Sequence, residues 1–126
     1  MHEFSIAIQL VEHVLALAAE NRATRVCRVV VEAGSLQAVV PDALQLAFEA
    51  AAKGTLAEGA ELDVREVAAD AVCRRCQRCY QPSVTDYQCP GCGAADPKIV
   101  AGRGVVIRTV DLVTADDAGE TQEGAR

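Results

Sequence analysis

Tryptophan is absent from this 126-residue chain, and only four residues are aromatic: Phe4, Phe48, Tyr80 and Tyr87. A stacking platform for single-stranded nucleic acid needs exposed aromatics, so that class is disfavoured. An excess of positive charge is missing too. Twelve Lys and Arg face 18 Asp and Glu, for a net charge of −6, which argues against a broad phosphate-binding surface. No apolar run nears the roughly 20 residues of a membrane span. The start, Met1-His2-Glu3-Phe4-Ser5, has neither a basic segment nor the long apolar stretch of a signal peptide. Histidine is scarce. His2 and His13 are the only two, neither stands in a motif with a nucleophile, and no paired-carboxylate centre is evident. The expectation is a protein that is not an enzyme.

What is present is aliphatic. Apolar residues make up 51% of the chain, so a core of Val, Leu, Ile and Ala is feasible at this length without staples. Six cysteines are also present, five of them crowded into residues 73–92. A secreted disulfide scaffold spreads its cysteines, so a reduced, cytoplasmic setting is expected. Charge divides with them. Residues 1–70 carry 5 basic and 11 acidic side chains, whereas residues 71–98 carry 4 basic and 2 acidic. The composition also shifts there, from Ala, Val and Leu to Cys, Gln, Pro and Gly, which marks a module boundary on each side.

Periodicity supplies the elements. Ile6, Leu10, Val14 and Leu17 form a helical stripe over 5–20, closed by Asn21, a residue that tolerates the left-handed conformation past a helix. Residues 25–33, RVCRVVVEA, alternate as a strand with Cys27, Val29, Val31 and Ala33 inward, which makes Cys27 a core residue. Pro41-Asp42 opens a second helix carrying Leu44, Phe48 and Ala51, and Gly54 suits its end. Residues 60–67 and 104–113 are further strands, and the polar tail from about Ala115 is expected to be disordered. The fold class is therefore α+β. It comprises a small three-stranded sheet with two helices on one face, plus an inserted zinc-ribbon-like four-cysteine module.

Within that insert, Cys73-x2-Cys76 and Cys89-x2-Cys92 are separated by 12 residues, with a turn at Gln81-Pro82-Ser83. Two such knuckles aim four thiolates at one point, and four soft ligands with no open position suit a structural Zn(II). Cys79 makes Cys76-x2-Cys79 a rival first knuckle. A zinc-ribbon nucleic-acid-binding or adaptor protein is the alternative, with Arg74, Arg75 and Arg78 in its favour. A thiol oxidoreductase using Cys76 and Cys79 is another, and it would need an accessible thiolate of low pKa. At the other end of the chain, a free α-amino group on Met1, the His2 amide nitrogen and the His2 Nδ1 close five- and six-membered chelate rings. Only Ni(II) or Cu(II) readily displaces the amide proton. Glu3 adds an amide nitrogen or a carboxylate. His13 has no such neighbour and is expected on the surface.

In order and spacing these features resemble the HypA/HybF family of nickel metallochaperones for [NiFe]-hydrogenase maturation. The resemblance runs from Met1 to about Leu112. It takes in Met1-His2-Glu3, Ser5-Ile6, Val31-Glu32-Ala33-Gly34-Ser35-Leu36, Val40-Pro41-Asp42-Ala43-Leu44, Ala47-Phe48-Glu49, Gly54-Thr55, Glu58-Gly59-Ala60 and Cys89-Pro90-Gly91-Cys92-Gly93. It implies Ni(II) as cargo bound at Met1, His2 and Glu3, and zinc held by Cys73, Cys76, Cys89 and Cys92, leaving Cys79 as a free thiol. The implied domains are a nickel-binding α/β domain over 1–70 and 99–114, a zinc-binding domain over 71–98, and a disordered tail over 115–126. The implied partners are a nickel-handling maturation GTPase and the hydrogenase large subunit, with no nucleic acid and no membrane, for a monomer or weak homodimer. Tyr80 matches the family's aromatic after the second cysteine. Gln77 departs from it, standing where the family has Gly, and so does Gly104, where an acidic residue is usual.

Overall fold

A computed structural model describes residues 2–115 and, as backbone, residues 120–123. The stripe at Leu10, Val14 and Leu17 winds into helix α1, His2–Glu20, which buries those three with Ala7, Val11 and Ala18. The helix ends differently from expectation. Arg22, not Asn21, takes the left-handed backbone (φ 55°). Asn21 instead turns its side chain back and donates Nδ2–H to the Leu17 carbonyl at 2.8 Å. The same carbonyl also accepts the Asn21 backbone N–H at 3.2 Å, so one residue closes the last turn with both its main chain and its side chain.

Strand β1 is Ala23–Gly34. Helix α2, Pro41–Ala52, starts with proline in its first turn and buries Leu44, Phe48 and Ala52. Strands β2 (Glu61–Val67) and β6 (Val105–Thr114) flank β1, and β7 (Glu120–Glu123) adds a fourth, giving the order β2-β1-β6-β7. The three strands read from the sequence are thus adjacent. β7 pairs antiparallel with β6, Leu112 opposite Glu120 and Thr109 opposite Glu123, where disorder was expected. Residues 116–119 and 124–126 of that tail lie outside the described residues. Cross-strand charges line β2, β1 and β6: Arg28 meets Asp63 at 2.7 Å, and Arg108 meets Glu32 at 3.5 Å.

Cys27 is not a core residue; it is half-buried. β1 is an inner strand, and at its centre both parities are covered, since Val30 is buried as well as Val29 and Val31. Alternation alone therefore does not sort its first half, where Val26 is the one fully covered position.

In sequence, the segment after β2 and before β6 forms a second, three-stranded sheet in the order β4-β3-β5, built from β3 (Asp70–Cys73), β4 (Cys79–Tyr80) and β5 (Pro97–Ala101). Both pairings with β3 are antiparallel. The turn in this insert is at 83–86, where Ser83 and Asp86 exchange backbone hydrogen bonds of 2.9 and 3.2 Å, rather than at 81–83.

The chain divides into two compact units: residues 1–32, 39–65 and 106–126 in one, and residues 33–38 and 66–105 in the other. The composition shift at 71–98 marks only the cysteine-bearing part of the second. Segment 33–38 belongs to it because backbone meets backbone there. Gly34 N–H donates to the Gly104 carbonyl at 2.8 Å, and Ala69 N–H donates to Ser35 Oγ at 3.2 Å. A Cβ on Gly34 would fall 1.8 Å from the Gly102 carbonyl oxygen, so only glycine fits.

Candidate metal centre

The two knuckles fold into the same backbone. Cys73 N–H donates to the Arg78 carbonyl and Gln77 N–H to the Cys73 carbonyl, each at 2.8 Å. At the equivalent places, Cys89 N–H donates to the Ala94 carbonyl at 2.9 Å and Gly93 N–H to the Cys89 carbonyl at 2.8 Å. Both turns require a left-handed residue just after the second cysteine. The second knuckle has Gly93 there (φ 77°), and the first has Gln77 (φ 67°). The departure at Gln77 is thus a strained residue in a turn built for glycine, partly steadied by its own Nε2–H to the Arg74 carbonyl at 3.4 Å. Laying CRRCQ over CPGCG would have located it from sequence.

Each knuckle offers one buried sulfur, Cys73 or Cys89, and one exposed sulfur, Cys76 or Cys92. The four Sγ atoms lie within 4.8 Å of one another. Cys73 faces Cys92 at 3.6 Å and Cys76 faces Cys89 at 3.5 Å. These distances are far beyond a disulfide bond of about 2.05 Å. They sit close to the sulfur–sulfur edge of about 3.8 Å in a tetrahedron with metal–sulfur bonds of about 2.3 Å. The donor set therefore fits a tetrahedral, thiolate-bound ion.

Electrostatics prepares two of the thiols for that ion. The Cys76 N–H, followed by the Arg75 N–H, lowers the pKa of Cys73 against the penalty of burial. Burial raises Cys89, but the N–H groups of Cys92 and Gly91 and the neighbouring thiols outweigh it and bring it down to about 7. At Cys76 the Arg78 N–H pulls downward, yet the hydrogen bond to Cys89 and burial prevail and push it up to about 11. Beneath the sulfurs, Tyr80 fills the unit's small core with Ala71, Cys73 and Cys89, and its hydroxyl donates to the Tyr87 carbonyl at 2.7 Å.

Cys79 is exposed on β4, opposite Val72, and does not join the group. The structure therefore brings together Cys73, Cys76, Cys89 and Cys92 and leaves Cys79 outside.

Far along the chain, His2 and Glu3 form the first turn of α1 rather than a free extension. Met1 lies outside the described residues. The His2 side chain is 50% exposed, and its Nδ1 lies 3.8 Å from Glu3 Oε1. The other Glu3 oxygen, Oε2, accepts the N–H of Val40 at 3.1 Å. That bond, with a lesser contribution from its own N–H, lowers the pKa of the Glu3 carboxyl. Beside the pair, Phe4 stays half-exposed over an open cleft shared with Ala43 and Ala47 of α2. His13 is half-buried on α1, with no place in either cluster. The Val40 amide is the partner that sequence reasoning missed, because a backbone donor 37 residues away leaves no signature in side-chain spacing.

A family model described as hydrogenase/urease nickel incorporation, metallochaperone, HypA, matches residues 1–112. The hydrogenase maturation factor HypA of Chlorobium limicola is 41% identical over 116 residues, spanning 92% of this chain and 100% of that protein. The factor of the same name from a Roseiflexus species is 39% identical, over 95% of this chain and 97% of its own length. The solution structure of the Ni metallochaperone HypA from Helicobacter pylori superposes with a TM-score of 0.67 at 22% identity, over 89% of this chain and 97% of that one. Among the described residues, no helix is long and apolar enough to cross a membrane.

Proposed function

The chain belongs to the HypA family of hydrogenase maturation factors, and on that premise we propose that it carries Ni(II) at its amino terminus and hands it on during assembly of a [NiFe]-hydrogenase. The observation that supports the amino-terminal site is the placement of His2 and Glu3 in the first turn of a helix. The first four N–H groups of a helix have no intrahelical partner, so their nitrogens can be deprotonated and bound without breaking a backbone bond. The positive end of the helix dipole opposes an added cation. A metal that displaces two amide protons brings no net charge there, whereas one that binds only through imidazole brings its full charge. The terminus therefore favours Ni(II) or Cu(II), the ions that form square-planar nitrogen sites. The donor set is a free amine on Met1, the amide nitrogen and Nδ1 of His2, and a further donor from Glu3.

The four cysteines hold Zn(II), which supplies a cross-link rather than chemistry. Four thiolates leave no position open for substrate. Nickel leaves by ligand exchange at the half-exposed His2, passed between a maturation GTPase and the hydrogenase large subunit. The acidic first seventy residues offer a basic partner patch a complementary surface.

Nickel titration of the zinc-loaded protein and of His2→Ala tests this, with metal analysis alongside. Loss of nickel in the variant, with zinc unchanged, is expected. Equal nickel binding by both proteins refutes the site. Acetylation of the amine is expected to weaken nickel binding as well.

A further inference from the structure

The two oxygens of the Glu3 carboxylate face different ways. Oε2 accepts the Val40 N–H at 3.1 Å, and Oε1 points toward His2 Nδ1 at 3.8 Å. Val40 is the residue that opens α2. It makes no side-chain cap of its own, and its carbonyl is already committed to Leu44 N–H at 2.9 Å. Glu3 is held accordingly: its side chain is 17% exposed, against 50% for its neighbour His2. The first residues of a helix ordinarily fray, because nothing within the helix fastens them. Here a side chain from α1 is fastened to the start of α2 instead.

We propose that Glu3 serves nickel binding as a positioning residue, its carboxylate strapped to the Val40 N–H so that His2 and the amide nitrogens beside it are held ready for the ion. This rests on the reading of His2 as a nickel ligand, and it narrows the part played by Glu3 within that site. A direct carboxylate donor would have to share or surrender the Val40 bond. A strap keeps it and leaves the square-planar positions to nitrogen. The conformational freedom removed is that of about one residue, which corresponds to roughly a tenfold gain in nickel affinity.

Val40→Pro deletes the N–H while leaving every proposed nickel donor untouched, and the extended backbone at this position (φ −92°, ψ 112°) is close to what proline accepts. The strap predicts that Val40→Pro and Glu3→Ala each weaken nickel binding by about tenfold, the double variant being no weaker than either. Glu3→Gln, whose amide oxygen can still accept from Val40, is expected to bind nickel nearly as the unaltered protein does, with the same X-ray absorption spectrum. In the metal-free protein, exchange of the Val40 amide hydrogen is expected to be slow with Glu3 or Gln at position 3 and fast with Ala. Unimpaired nickel binding by Val40→Pro, with Glu3→Gln as weak as Glu3→Ala, overturns the strap and makes the carboxylate a donor. Unimpaired binding by Glu3→Ala also overturns it. Unimpaired binding by His2→Ala overturns the nickel site itself, and the strap's purpose with it.

Discussion

Stripping the metal from the four cysteines should dissolve one unit and spare the other. The cysteine-bearing unit has about 46 residues. Its buried cluster consists of Ala71, Cys73, Tyr80 and Cys89, flanked by the partly buried Ala94 and Ile99. Half of that cluster is ligand. A unit of this size would ordinarily hold about 2–7 kcal/mol of net stability. A structural zinc contributes about 10–16 kcal/mol at neutral pH, so its removal exceeds the whole reserve. The first unit has no such dependence, since its core is made of Val14, Val29, Val31, Leu44, Phe48, Ile107, Val110 and their neighbours. The chain supplies its own reporters for the two halves. Both tyrosines fall in the second unit, no tryptophan masks them, and both helices fall in the first. With a strong chelator, the near-ultraviolet circular dichroism of tyrosine should vanish while the helical far-ultraviolet signal persists. Simultaneous loss of both signals, or a tyrosine signal that survives after metal analysis shows the ion gone, would refute the reasoning.

Other outcomes follow from single residues. Gln77→Gly should raise resistance to chelation by about 1 kcal/mol, since it relieves a left-handed residue, and a chelator titration that shows no gain would count against the shared knuckle geometry. Cys79→Ser should retain the metal content of the unaltered protein, while Cys73→Ser should lose most of it, both read by metal analysis after dialysis. Phe48→Ala, which empties a site 1% exposed in the first unit, should cost about 3–5 kcal/mol in denaturant unfolding of the helical signal. The Glu3 carboxyl has a depressed pKa because of the Val40 N–H, so its stabilising effect is complete above the ordinary value of 4.5 and fades as pH falls through the lower folded-state value. Acid unfolding of Glu3→Gln should therefore show a shallower loss of helix than the unaltered protein over that range.

Much of this was legible in residue patterns for a physical reason. The stripe at Leu10, Val14 and Leu17 and the β-branched run of β1 report burial by large apolar surfaces, which leaves a periodic trace. Paired C-x2-C spacing reports a metal because few other arrangements need it. What stayed hidden has no such trace. β3, β4 and β5 are four, two and five residues long, so their pairing is set by the knuckles rather than by strand propensity. β7 is the polar segment ETQE, recruited through its backbone. Cys27 was misplaced because the continuous covered run Val29–Val31 hides which parity is buried, and in the first half of β1 that position is Val26. At the amino terminus, the types of His2 and Glu3 were readable, but the bond from Glu3 to Val40 joins distant parts of the chain through a main-chain amide.

The backbone passes from one unit to the other four times, after residues 32, 38, 65 and 105. The cysteine-bearing unit is consequently not a cassette. A fragment beginning at residue 66 would lack Gly34 and Ser35, whose backbone and hydroxyl are stitched to Gly104 and Ala69. Recombination at the two edges of the cysteine stretch could not transplant the unit intact, and a ribosome must finish it before β6 can close the first sheet. The two halves are thus bound to a common inheritance: each can vary its surface, but neither can be exchanged without the other.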